Sequence, residues 1–93
     1  MAFIICIVVI MFYVYIIRSK KDSSYYIGYT SNLQERMKRH NQGRSKYTKS
    51  NVPWYLVYYE EFQTKREALK REKLIKSFKG GEAFKRILDS KSS

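Results

Sequence analysis

Three short runs of β-branched and aromatic residues stand out in the hydrophobic pattern of this chain. They predict strands at Phe12–Ile17, Tyr25–Tyr29 and Trp54–Phe62. The polar residues 18–24 make a short connection between the first two strands, which predicts an antiparallel hairpin.

Helix start and stop signals fill the remaining chain. Residues 30–32 offer N-cap side chains for a first helix, with Ser31 and Gln34 at capping-box spacing, and Gly43 marks its end. Residues 43–53 then form a basic loop without an apolar period.

A second capping box, Thr64 and Glu67, predicts a helix from about Lys65 to Phe78. Gly80 and Gly81 break this helix, and a last helical pattern covers residues 82–88. The order β-β-α-β-α-α predicts an α+β fold, with a small three-stranded antiparallel sheet flanked by helices.

The size of the chain allows one domain. Its 93 residues divide into an apolar N-terminal extension (1–11), a folded domain (12–88) and a polar tail (89–93). The uncharged run 2–17 is shorter than the ~20 residues of a membrane helix. We therefore favour a dispensable extension, with Met11 as an alternative start, over a membrane anchor.

Charge adds a partner class to this outline. Nineteen Lys and Arg against eight Asp and Glu give a net charge of +11, which favours a nucleic acid or an anionic membrane surface. Charge alone is equally compatible with an ordinary basic protein. A single cysteine, Cys6, excludes an internal disulfide and fits a reducing cytoplasm.

Two polar side chains interrupt the apolar face of the first helix. Leu33, Arg36, Met37 and His40 share one face by helical spacing, although isolated charge is unfavourable against a sheet. Arg36 and His40 are therefore candidate site residues. The alternative is that Arg36 extends to solvent and His40 is a satisfied helix-end imidazole.

Glu72 is the corresponding anomaly on the second helix. It shares a face with Ala68 and Ile75, so its carboxylate needs a cation or a metal. An ion pair with Arg36 explains Glu72 as well as metal binding does. Among the nine tyrosines, Tyr13 and Tyr15 share one face of their strand, while Tyr26 points opposite to its neighbours, beside Gly28.

Together these residues resemble the GIY-YIG nuclease superfamily, and in particular its small stand-alone bacterial members. Tyr26-Ile27-Gly28 matches the second block of the family name in full, while Tyr13-Val14-Tyr15 keeps only the tyrosine of the first. Arg36 follows ten residues after Tyr26, and residues 67–76 resemble the metal-binding helix of the family. The resemblance covers residues 12 to about 79.

The resemblance implies a divalent-metal-dependent endonuclease that hydrolyses DNA, with a role in repair or recombination. Tyr15 and Tyr26 would line the scissile phosphate, Arg36 would hold it, and His40 would assist proton transfer. Glu72 would bind a single Mg²⁺ or Mn²⁺, since one carboxylate suits a hard ion that keeps several waters.

A basic surface is expected to follow the DNA backbone. The candidate nucleic-acid-binding residues are Lys38, Arg39, Lys46, Tyr47 and Lys49, with Trp54 nearby. RNA remains open as a substrate. Two other functions also remain open: a DNA-binding module on the same fold that cuts weakly or not at all, and a membrane-attached basic protein.

Overall fold

A computed structural model describes residues 9–90 as a three-stranded antiparallel sheet with helices on both faces. The elements are β1 (Phe12–Ser19), β2 (Tyr25–Thr30), α1 (Leu33–Asn41), β3 (Trp54–Phe62), α2 (Lys65–Phe78) and α3 (Glu82–Asp89), with a short 3₁₀ turn at Lys49–Asn51. The predicted α+β class and element order are confirmed. Most of the expected N-terminal extension, residues 1–8, lies outside the described residues.

The strand order β2-β1-β3 places β1 at the centre of the sheet. Residues 14–17 of β1 are wholly buried, because helices cover the strand from both sides. This position explains why the strand reads as a continuous apolar run and does not alternate.

Each face of the sheet has its own apolar cluster. On one face α2 and α3 pack against the sheet, and the cluster contains Val14, Ile16, Ile27, Tyr58, Ala68, Ile75 and Phe84. On the other face α1 covers Tyr15, Ile17 and Trp54, with Leu33 and Met37 packed against them. The second face carries the polar groups described below.

The helix caps agree with the sequence at α2 and differ at α1. Thr64 accepts a hydrogen bond from the Glu67 amide (3.2 Å) and donates one from its hydroxyl to the Glu67 carboxylate (2.9 Å), so Thr64 is the N-cap as predicted, with Glu67 as its side-chain partner. The box predicted at Ser31 was wrong by one residue. Asn32 is the N-cap, because its side-chain oxygen accepts from the Glu35 amide at 3.1 Å.

The loop between α1 and β3 is fixed to the β1–β2 turn. The Lys20 amide donates to the Pro53 carbonyl (2.8 Å), and the Ser19 hydroxyl donates to the Asn51 carbonyl (2.6 Å). At the start of β3 the Asn41 side chain brackets Trp54, accepting from its amide (2.6 Å) and donating to its carbonyl (3.0 Å). These hydrogen bonds therefore fix the position of the loop in the fold.

Between residues 9 and 90, no helix is long and apolar enough to cross a membrane. Residues 12–17, the second part of the apolar run, belong to the central strand.

Candidate active site

Tyr15 lies at the centre of the sheet and is wholly buried. It pairs across the sheet with Gly28 of β2, and its ring covers the glycine. A Cβ atom at residue 28 would lie 2.5 Å from the Tyr15 hydroxyl oxygen, closer than any side chain tolerates. Gly28 is therefore the residue that lets the Tyr15 ring lie across β2.

Helix α1 brings two polar side chains to the Tyr15 hydroxyl. Arg36 donates to that oxygen through Nε at 3.2 Å, and Nε2 of His40 lies 2.8 Å from it. Both side chains come from the helix face that packs on the sheet, as the periodicity predicts. Two side chains of α1 thus meet a strand hydroxyl that is distant from them in sequence.

The second nitrogen of His40 contacts a residue that the sequence did not single out. Nδ1 lies 2.7 Å from Oγ1 of Thr48, and both residues are wholly buried. Thr48 lies in the basic loop, where no periodic pattern marks a buried position. A pattern search finds helices and strands, so the sequence carried no signal for this contact.

Burial controls the protonation of these groups. Burial raises the pKa of Tyr15 to about 12, although Arg36 acts against it. Burial, and then the positive charge of Arg36, lower the pKa of His40 to about 4. At neutral pH both groups are uncharged.

Tyr26 approaches the same point from the edge strand β2. Its ring centroid lies 5.2 Å from that of His40 and 6.4 Å from that of Tyr15. Burial by itself lowers the pKa of Arg36. The interactions of the guanidinium with the Tyr15 and Tyr26 hydroxyls outweigh burial, so the pKa of Arg36 is raised. Tyr26 and Arg36 are half-buried, whereas Tyr15 is closed off from solvent.

Glu72 projects from α2 with 14% of its side chain exposed. Its carboxylate pairs with Nζ of Lys76 at 3.0 Å, one helical turn along, and the expected alternative of an ion pair with Arg36 is wrong. The charge of Glu72 is the smallest of the contributions that raise the pKa of Tyr15. The Lys76 side chain is 51% exposed and can move away from the carboxylate.

Glu72 is suited to hold a metal ion only with help from water or substrate. Within the described part of the chain, no group of three or more Asp, Glu, His or Cys side chains is close enough to enclose a metal. A single carboxylate fits a hard divalent cation that keeps most of its waters. The donor set suits Mg²⁺ or Mn²⁺ and not a fully enclosed metal.

A partly buried ion pair fixes α2, and with it Glu72, to β3. Arg71 donates through Nε to Oε1 of Glu60 (2.9 Å) and through Nη2 to Oε2 (3.0 Å). The Tyr58 hydroxyl also donates to Oε2 of Glu60. The two parallel bonds define the rotation of the helix about its axis, and Glu72 is the next residue.

The predicted nucleic-acid-binding residues are all exposed. Lys38 and Arg39 lie on the outer side of α1, and Lys46, Tyr47 and Lys49 lie on the loop. Tyr47 is 76% exposed, and the Lys46 ammonium lies 5.6 Å from its ring centroid. Trp54 does not belong to this surface, because it is buried and donates through its indole N–H to the Thr48 carbonyl.

Comparison with known proteins assigns a family to this arrangement. Residues 11–82 match the family described as the GIY-YIG catalytic domain.

Relatives of similar length support the assignment. A UPF0213 protein of Staphylococcus haemolyticus is 47% identical over 76 residues, which are 81% of this chain and 92% of the relative. A UPF0213 protein of Clostridium perfringens is 46% identical over 83 residues, covering 88% of this chain and 87% of the relative. The solution NMR structure of a UPF0213 protein from Bacillus halodurans matches with a TM-score of 0.57 and 34% identity, over 87% of this chain and 85% of that one.

Proposed function

The chain belongs to the GIY-YIG nuclease superfamily, and from that premise we propose that it is a divalent-metal-dependent endonuclease that hydrolyses phosphodiester bonds of DNA. The observation that carries the proposal is the contact of Arg36 with the buried Tyr15 hydroxyl beside Tyr26, at a site where the charge of Glu72 also acts on Tyr15. A cation, a phenol and a carboxylate are the groups that metal-assisted phosphodiester hydrolysis uses.

Arg36 is the group that binds the scissile phosphate. The Nε–H of Arg36 donates to the Tyr15 hydroxyl. The planar guanidinium has further N–H groups that can pair with two phosphate oxygens. Its positive charge reduces the repulsion between the anionic phosphate and an attacking oxygen. The same charge stabilises the extra negative charge that develops as the phosphorus bond forms.

Tyr26 is the phenol that contacts the attacking water. It is partly exposed and lies beside Arg36, whereas Tyr15 is wholly buried. As the water oxygen bonds to phosphorus, its proton passes to the Tyr26 oxygen, and the phenolic proton passes to solvent. The bond from phosphorus to the leaving oxygen breaks, and that oxygen takes a proton from water.

Tyr15 and His40 are buried residues that fix the position of Arg36. The proton-transfer role predicted for His40 stays a prediction, but its full burial and a pKa lowered to about 4 favour a supporting role. Tyr15 holds Arg36, and His40 holds Tyr15.

Glu72 is the residue that would hold the divalent cation, with waters and phosphate oxygens completing its ligands. A bound Mg²⁺ or Mn²⁺ supplies positive charge that stabilises the leaving oxygen. The Glu60–Arg71 pair holds the residue before Glu72 to β3 and so limits rotation of the helix that carries it.

The exposed lysines and arginines supply the affinity for DNA. Lys38, Arg39, Lys46 and Lys49 neutralise backbone phosphates, and Tyr47 offers an aromatic face to an unpaired base. These contacts are blind to base sequence. The selection of nicked, flapped or branched DNA would come from shape.

Cleavage of a DNA panel tests this function. The purified protein is incubated with linear, nicked, flapped and branched DNA in Mg²⁺ or Mn²⁺, and a chelator should stop cutting. Arg36→Lys keeps the charge but loses the planar donors, and cleavage should fall about 100-fold. Arg66→Lys, on the exposed first turn of α2, is the matched control. If no DNA is cut with either metal while binding persists, the protein is a DNA-binding module on this fold.

A further inference from the structure

Thr48 is a buried polar residue that the proposed reaction does not use. Its amide donates to the Ser45 carbonyl at 3.1 Å, and its carbonyl accepts from the Trp54 indole N–H at 2.9 Å. Both backbone groups are therefore fixed, and the hydroxyl is held 2.7 Å from Nδ1 of His40. A threonine held in this way can orient the imidazole that it contacts.

The neutral His40 ring has one N–H donor and one bare nitrogen, and each nitrogen has one partner. If Nε2 carried the proton, the Tyr15 oxygen would accept from both His40 and Arg36. The Tyr15 hydrogen would then need a third acceptor. The residue is wholly buried, and its hydroxyl contacts only these two side chains by hydrogen bonds within residues 9–90.

In the opposite tautomer the Tyr15 hydroxyl both donates and accepts, and the hydrogen of the Thr48 hydroxyl is the one left outside the three bonds. Nδ1–H of His40 donates to Thr48, the Tyr15 hydroxyl donates to the bare Nε2, and Arg36 donates to the Tyr15 oxygen. All three bonds then run in one direction, from the guanidinium to the threonine. Hydrogen bonds aligned in this way strengthen one another.

We propose that Thr48 is a positioning residue, which keeps the His40 proton on Nδ1 and thereby fixes Tyr15 and Arg36 for phosphate binding. This inference rests on the proposed nuclease function. Thr48 does not touch the substrate and acts through His40 and Tyr15. Because the exposed Lys46, Tyr47 and Lys49 flank it in the loop, one segment carries both a DNA contact and the support of the site.

The single histidine of this chain makes the tautomer directly measurable. Nitrogen NMR of protein labelled with ¹⁵N-histidine distinguishes a protonated ring nitrogen from a bare one, and couplings to the ring protons identify each. In the wild-type protein we expect the proton on Nδ1 and a bare Nε2. A proton on Nε2 would overturn the proposal without any variant.

Two substitutions at Thr48 separate its hydroxyl from its shape. Thr48→Val keeps the volume but removes the hydroxyl, so the proton should move at least partly to Nε2. The kcat for DNA cleavage should fall about 10- to 100-fold, by analogy with groups that orient the histidine ligands of metal sites, with KM nearly unchanged. Thr48→Ser should keep both the tautomer and kcat.

Thr64→Val is the matched control, since it also removes a threonine hydroxyl and a cap hydrogen bond on α2. It should lower stability by about 1 kcal/mol, without moving the tautomer or kcat. An unchanged tautomer or an unchanged kcat in Thr48→Val would contradict the proposal. If Thr48→Val does not fold, the wild-type and Thr48→Ser spectra still decide. If the wild-type protein cuts no DNA, the proposed function fails, while the NMR result stands on its own.

Discussion

The ring of Tyr15 occupies the space where any side chain at residue 28 would lie. A Cβ at that position would come within 2.7 Å of Cζ and 2.5 Å of the hydroxyl oxygen. The glycine is therefore tied to the placement of the tyrosine, and through it to Arg36 and His40.

Gly28→Ala should displace the Tyr15 ring and break its hydrogen bonds to α1. We expect a loss of about 1–3 kcal/mol in the free energy of unfolding, as for other overpacked sites, and weaker DNA cleavage. Gly81→Ala is the control, because a Cβ there meets the Phe78 carbonyl at an ordinary 3.4 Å. Chemical denaturation of both variants measures the difference, and equal stabilities would contradict the tight contact.

His40 should make stability fall in mildly acidic solution. Its pKa is lowered from 6.5 to about 4 by burial and by Arg36. Between these two pH values His40 is protonated in the unfolded chain and neutral in the folded protein. The stabilisation is therefore complete above about pH 6.5 and is lost as the pH falls toward 4, by about 3 kcal/mol in all.

His40→Gln should remove this part of the pH dependence. Unfolding free energies of both proteins are measured by chemical denaturation between pH 4 and 7.5. The carboxylates titrate in both proteins, so the difference between the two curves isolates the histidine. Parallel curves would show that His40 titrates alike in the folded and unfolded states.

The sequence predicted those elements that carry local signals. β3 and α2 have the predicted bounds. For α2 the local signals are the Thr64 N-cap, which accepts from the Glu67 amide, and Gly80, which follows the helix with φ +87°. The face of α1 that carries Arg36 and His40 packs on the sheet, as predicted. Helical periodicity identifies such a face without information about what it packs against.

What the sequence missed depends on contacts between distant segments. Thr48 meets His40 only because the loop is held to the β1–β2 turn, and the burial of Trp54 follows from the same anchoring. The partner of Glu72 was also missed. Both Lys76, one helical turn along, and Arg36 could pair with the Glu72 carboxylate, and only the folded structure shows that Lys76 does.

The ion pair between β3 and α2 should contribute measurably to stability. Glu60→Gln loses the charge that holds both nitrogens of Arg71, and we expect a loss of about 1–3 kcal/mol. Glu82→Gln makes the same change in an exposed pair with Lys85, at 4.0 Å, and should have no measurable effect. Thermal and chemical unfolding of the two variants provides the test, and similar effects would argue against a special role for the Glu60–Arg71 contact.

DNA binding should weaken with salt, and the loop lysines should account for part of that dependence. Changing Lys46 and Lys49 together to Ala should flatten the slope of log affinity against log salt by about one to two units, for all DNA sequences alike. Changing Lys70 and Lys85 of α2 and α3 together to Ala removes the same charge from the opposite face of the sheet. An equal change in that control would show that net charge, and not the loop, sets the affinity.

Glu72→Gln tests the central claim most directly, with Glu67→Gln on the same helix as its control. A thermal melt, a Mn²⁺ titration and a DNA cleavage assay are made on one preparation of each variant. Since the observed partner of Glu72 is the half-exposed Lys76, we expect little change in melting temperature. Metal affinity and cleavage should be lost together, while DNA binding is kept or tightened. A large fall in melting temperature, with metal response and cleavage unchanged, would contradict the assignment of Glu72 and the account of the site.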